Sequence, residues 1–111
     1  MDNQTADAAG TATLRTFDLD HDVVVNGNTV YPAGSKITVR KPNGGALRGL
    51  SMSALMQADY TSLETLAPRI TAPAVQKHEF AAFDPADIVQ FAGEVMDFLL
   101  PKAARPDSLN A

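Results

Sequence analysis

Between Phe17 and Val25 the chain alternates: Phe17, Leu19, His21, Val23 and Val25 fall in one phase of a two-residue period, with Asp18, Asp20, Asp22 and Val24 in the other. Period two places successive side chains on opposite faces of a strand, so a strand is predicted from Leu14 onward. Asn26-Gly27 follows directly, and this pair tolerates the positive backbone angles of a type I′ hairpin turn. The returning strand is expected to start at Thr29 to Tyr31. It should break at Pro32-Ala33-Gly34, because proline cannot donate to a ladder, and resume over Lys36-Ile37-Thr38-Val39-Arg40. A lone hairpin is marginal in water, so its apolar face needs a cover.

Helical spacing takes over after Pro42-Asn43-Gly44-Gly45. Leu47, Leu50, Ala54 and Leu55 predict a helix that Gly49 and the neighbouring serines break or kink. Asp59 is placed to cap a second helix, in which Leu63, Leu66, Ala67 and Ile70 recur at i, i+3, i+4 and i+7. Pro68 is expected to shorten or bend it. In the last helix Asp84 is the N-cap, Pro85 takes the first position, Asp87 favours the positive dipole end, and Pro101 stops the helix after about Leu100. The fold predicted is α+β: an N-terminal two-stranded antiparallel β-hairpin (14–40) followed by a bundle of three to four α-helices (44–100), all in one domain, 14–100. Residues 1–13 and 101–111 lack periodic apolar positions and read as disordered tails.

Composition removes several classes of function. The 111-residue chain carries a formal net charge of -4, which disfavours phosphate backbones and anionic membrane surfaces, so neither nucleic acid nor membrane is an expected partner. Absence of cysteine excludes disulfides, thiolate zinc sites and thiol nucleophiles. Asp2 and Asp7 stand where an export signal would place basic residues. Apolar runs such as Val23 to Val25 fall far short of the roughly 20 residues a membrane span needs.

The candidate catalytic and metal motifs are each incomplete. Asp18-Leu19-Asp20-His21-Asp22 opens like a calcium loop, but Val23 stands where the turn glycine belongs and Thr29 where the bidentate glutamate belongs. A solvated strand face that discourages edge pairing is the plainer reading. His78-Glu79 lacks a second histidine at position 82, which is Ala82, and His21 supplies too few ligands for zinc. No G-x-S-x-G elbow surrounds Ser35, Ser51, Ser53 or Ser62. Gly44-Gly45 lacks the rest of a phosphate-binding loop. The sequence therefore predicts no catalytic, cofactor or metal site.

The last helix is apolar over most of its circumference. Ile88, Phe91, Ala92, Val95 and Leu99 form one stripe, Val89, Ala92, Met96 and Leu100 a second, and only the seam of Asp87, Gln90, Glu94 and Asp97 is polar. So wide an arc exceeds what a small domain can bury, which points to a partner chain. Met52 and Met56 flank Leu55 and add an adaptable apolar surface. Met52, Leu55, Met56, Val89 and Met96 are the candidate partner-binding residues, and packing inside the core is the alternative for each.

The order of these pieces resembles the tail assembly chaperones of contractile-tailed (Mu-like and P2-like) phages and prophages. The resemblance is carried by Ile37-Thr38-Val39-Arg40-Lys41-Pro42, Ala46-Leu47-Arg48, the helix around Leu63 to Ile70, Phe83-Asp84-Pro85-Ala86-Asp87-Ile88 and Phe98-Leu99. It implies a protein that transiently holds the long helical tape-measure protein in the host cytoplasm and is missing from the mature virion, with no cofactor and no catalysis. Such proteins are often made in two lengths by ribosomal slippage. Asp97-Phe98-Leu99 can be spelled with the slippery run T-TTT-TTG, so a frameshifted longer form is an expected partner, and a homo-oligomer is compatible. Two other readings stay open: a structural virion protein of tail or head, and a small enzyme.

Overall fold

The computed structural model describes residues 13–100. In chain order the elements are β1 (Leu14–Asp18), β2 (Val23–Val25), β3 (Asn28–Tyr31), β4 (Lys36–Arg40), α1 (Met52–Met56), α2 (Tyr60–Ile70), β5 (Thr71–Ala72), α3 (Lys77–Phe80) and α4 (Pro85–Leu99). The α+β class, with antiparallel strands first and helices after, matches the sequence expectation. The tails expected at 1–13 and 101–111 lie outside the described residues, apart from Thr13, whose carbonyl accepts the Lys41 N–H at 2.8 Å.

The hairpin has two broken arms. Asn26 and Gly27 take φ of 53° and 80°, the positive pair that a type I′ turn requires, and join β2 to β3 in register Val23↔Tyr31, Val24↔Thr29 and Val25↔Asn28, with a shift between Val23 and Val24. Beyond the break β1 pairs with β4 from Leu14↔Arg40 to Asp18↔Lys36. Pro32 to Ser35 interrupts one arm as expected, and residues 19–22 interrupt the other. The two arms stay tied there: Leu19 N–H donates to Ser35 C=O (2.9 Å), Gly34 N–H to Leu19 C=O (2.7 Å), and Ala33 N–H to the Asp22 carboxylate (2.7 Å). His21, whose phase matched the inward residues, falls in this break and is exposed. A third strand, β5, adds to β4 through Thr38↔Ala72 and Val39↔Thr71.

The inner face of the sheet, Phe17, Leu19, Val23, Ile37 and Val39, meets Leu55, Leu66, Ile70, Phe80, Phe91, Val95 and Phe98 from the helices. Phe80 is central, with ring centroids 5.5 Å from Tyr60, 5.3 Å from Phe83 and 5.4 Å from Phe91. Burying one such ring contributes about 2 kcal/mol.

Local chemistry sets the helix ends. Gly49 at φ 79° separates a run of turns at 44–49 from α1, which Ser51 caps by accepting the Ala54 N–H. Asp59 caps α2 through the Ser62 N–H at 3.0 Å. Of the two effects expected of Pro68, shortening does not occur, since α2 continues to Ile70; the ring removes one backbone bond two residues before the helix ends. Beyond that end Thr71 Oγ1 donates to the Ala67 carbonyl (2.7 Å) and accepts the Val75 N–H (2.8 Å). Asp84 caps α4, with Pro85 first, as the sequence predicts.

Candidate functional site

The polar seam of α4 does not face water; it lies against the N-terminal arm of the hairpin. Asp87 is fully buried. Its two carboxylate oxygens accept the backbone N–H groups of Asp20 (2.8 Å) and His21 (3.1 Å), where the strand has been interrupted. Gln90 bridges the two sides, donating through Nε2 to Asp87 (2.9 Å) and to the Asp18 carbonyl (3.0 Å). One and two turns further on, Glu94 and Asp97 pair with the Arg15 guanidinium. The i, i+3, i+7, i+10 spacing thus lines up four polar side chains along the edge of β1. A helix covering a strand edge protects it from pairing with other chains. The sequence signal, an acidic seam opposite a strand holding Arg15, was present, but periodicity alone assigns a polar seam to solvent.

With the seam turned inward, the apolar arc divides. Phe91, Val95 and Phe98 point into the core, Ile88, Ala92 and Leu99 pack at its margin, and Val89 stands 68% exposed. Met96 is half-buried. On α1 the methionines flank a core residue: Met52 is 47% and Met56 40% exposed, whereas Leu55 is 0% exposed. Leu55 is therefore not a partner anchor, because its side chain is already enclosed. α1 packs against both α2 and α4, which puts the methionine pair beside the helix that carries Val89 and Met96. Tyr60, at the start of α2, is 40% exposed on its outer side and donates to Glu64 at 2.9 Å.

Two tyrosines hold their protons more firmly than usual. Burial raises the Tyr31 phenol above its ordinary value, and the neighbouring Glu79, which accepts its O–H at 3.2 Å, raises it further. Tyr60 is raised by burial first, then by Glu64. Neither faces a nucleophile or a metal-ligand set. His78 is exposed on α3, and His21 lies 3.5 Å from Asp84. Among the described residues no group of three or more His, Asp and Glu is placed to hold a metal ion, and no helix is long and apolar enough to cross a membrane. What the surface offers is exposed apolar side chains: Met52, Met56, Tyr60 and Val89 on the helices and Leu14, Val24 and Val30 on the strands.

The chain is 37% identical over 70 residues to tail assembly protein E of Escherichia phage P2, an alignment covering 63% of this chain and 77% of that protein. It is 38% identical over 65 residues to tail assembly protein E′ of the same phage, covering 59% of this chain and 46% of that longer relative. No family model matches the chain, and no solved structure matches it. With this identity over most of protein E, the chain belongs to the P2-like family of phage tail assembly proteins.

Proposed function

We propose that the chain is a tail assembly chaperone that transiently binds the tape-measure protein during tail morphogenesis, in the host cytoplasm, and does not remain in the mature virion. Family membership supports the tail assembly role. The observation that carries the finer reading is the methionine pair: Met52 and Met56 are exposed on a short helix packed beside α4, on which Val89 is exposed as well. Unbranched, polarisable methionines adapt to varied apolar partners, and a long amphipathic helix is a partner that such a surface fits. Single contacts of this kind are weak. Many copies along one long client supply avidity, and weak individual binding lets each copy leave.

A longer form of the same chain belongs to this reading. Two P2 relatives of similar identity to this chain that differ in length support it, as does the possible slippery spelling of Asp97-Phe98-Leu99. The nucleotide sequence across 91–101 tests it, a non-slippery spelling without an overlapping downstream frame being the outcome that removes the longer form.

The deciding experiment for the chaperone is co-expression with the tape-measure protein of the same phage. The client should stay soluble and co-purify with the chain, and purified particles should lack it. Absence of association, with stoichiometric recovery of the folded chain in particles, would replace the chaperone by a structural virion protein.

A further inference from the structure

Ion pairs among the described residues draw in Arg15, Lys36 and His21. Arg40, Lys41, Arg48 and Arg69 take part in none of these, and all four are exposed. Backbone carbonyls rather than acids gather them at one end of the β1–β4 ladder. Arg40, the last residue of β4, donates through Nη2 to the Arg69 carbonyl at the end of α2. Arg69 Nη1 in turn donates to the carbonyls of Ala46 (2.9 Å) and Arg48 (2.8 Å). A guanidinium has five N–H donors, more than these bonds engage.

The opposite end of the ladder carries the opposite charge. Asp20 and Asp22 stand exposed at the break between β1 and β2, beyond the Asp18–Lys36 pair, and Asp84 lies beside His21 at the start of α4. Arg40 and Lys36 are four strand residues apart, about 13 Å. That exceeds the roughly 8 Å Debye length at physiological ionic strength, so the two poles do not neutralise each other within one molecule. Each pole also has an exposed apolar centre: Leu14 sits opposite Arg40 in the ladder, and Val24 and Val30 lie on the β2–β3 hairpin next to Asp22. An apolar centre with a charged rim is the make-up of a protein-binding surface.

We propose that the basic pole of one copy binds the acidic pole of a second, so that copies of this chain associate head to tail. The contact joins two different patches, so it is heterologous and propagates into an open chain or closes into a ring. A second copy is favoured over nucleic acid as the occupant because the chain is acidic overall, at -4, and the basic pole lacks the aromatic platform on which bases stack. Exposed ion pairs are individually weak, which makes the association dependent on concentration and salt. The inference does not depend on the tape-measure client.

Sedimentation of the full chain tests it. In low salt the weight-average mass should rise with concentration past the dimer, and in high salt it should fall to the monomer. Lys41→Glu with Arg48→Glu cancels the basic pole, setting two glutamates against Arg40 and Arg69, at side chains that make none of the hydrogen bonds above, and Asp20→Arg sets a cation beside Asp22 and Asp84 in the acidic pole while keeping its backbone N–H. Each variant alone should be monomeric with an unchanged thermal melt, and mixing the two should give a dimer, through the unaltered acidic pole of one and the unaltered basic pole of the other. If either set of changes unfolds the chain, Arg48→Gln and Asp20→Asn replace them, and each should weaken association several-fold. A wild-type chain that stays monomeric in low salt, association insensitive to both changes, or wild-type growth that stops at a dimer would overturn the proposal. So would a monomer that binds labelled single-stranded DNA through the basic pole.

Discussion

Asp87 accepts the backbone N–H of Asp20 at 2.8 Å across 67 residues of sequence, and its carboxylate is fully enclosed in doing so. The charge is held in place by three donors, from Asp20, His21 and Gln90. Charge-assisted bonds to backbone N–H groups are about twice as strong as neutral ones, and here they replace the strand partner that the break at 19–22 removes.

Asp87→Ala should therefore destabilise the fold by about 3 kcal/mol, because two backbone donors lose their acceptor in a place that water does not reach freely. Urea denaturation measures it. Gln90→Ala, which leaves Asp87 with both backbone partners, should cost only about 1 kcal/mol. Equal losses for the two variants would show that the clamp is not centred on Asp87.

Neighbouring positions on α1 should behave in opposite ways. Leu55→Ala opens a cavity in the core and should cost about 3 kcal/mol. Met56→Asp, one residue on but 40% exposed, should change stability by about 0.5 kcal/mol at most while abolishing retention of the tape-measure protein in a pull-down. Client binding that survives Met56→Asp in a folded chain would remove α1 from the interface.

The hairpin and the helix caps were legible in the sequence because their signals are local. Asn26-Gly27 encodes its own turn, Asp59 and Asp84 their own caps, and Gly49 its own break. The direction in which α4 faces was not legible. Its apolar arc is wide enough that periodicity allows several rotations about the helix axis, and the choice is made by partners far along the chain: Arg15 for Glu94 and Asp97, and the interrupted strand for Asp87. The same choice places Phe98 in the core beside Phe91 and Val95, where stripe counting had favoured Leu99. For Leu55 the core alternative holds, since on a helix of five residues one face is core and the next residue is surface.

Gly27 has φ of 80° with open space around its Cα. Gly27→Ala should cost about 1 kcal/mol through backbone strain alone. Thermal denaturation should show the loss, and Gly44→Ala, where φ is not positive and the added methyl meets no neighbour, should show almost none.

Raised tyrosine values set a limit at high pH. A phenol whose folded pKa lies above its unfolded value of 10.0 holds its proton more tightly when folded. The stability it supports is complete below pH 10 and is lost as pH climbs through the folded value. Wild-type stability should fall more steeply above pH 10 than that of Tyr31→Phe, as read by denaturation at a series of alkaline pH values. Parallel curves would place the titration elsewhere.

The bonds from β1 and the Asp20–His21 segment to α4 span up to 79 residues, so the first strand made on the ribosome waits for the last helix. Until α4 emerges, the edge of β1 lacks its polar cover and the hairpin lacks Phe91, Val95 and Phe98. Such distant pairings make closure a late step in the life of the nascent chain. Once Leu99 is in place, the partners that α4 supplies to β1 among the described residues have been synthesised. Two translation products that part ways after that residue would share the whole of this seam between β1 and α4.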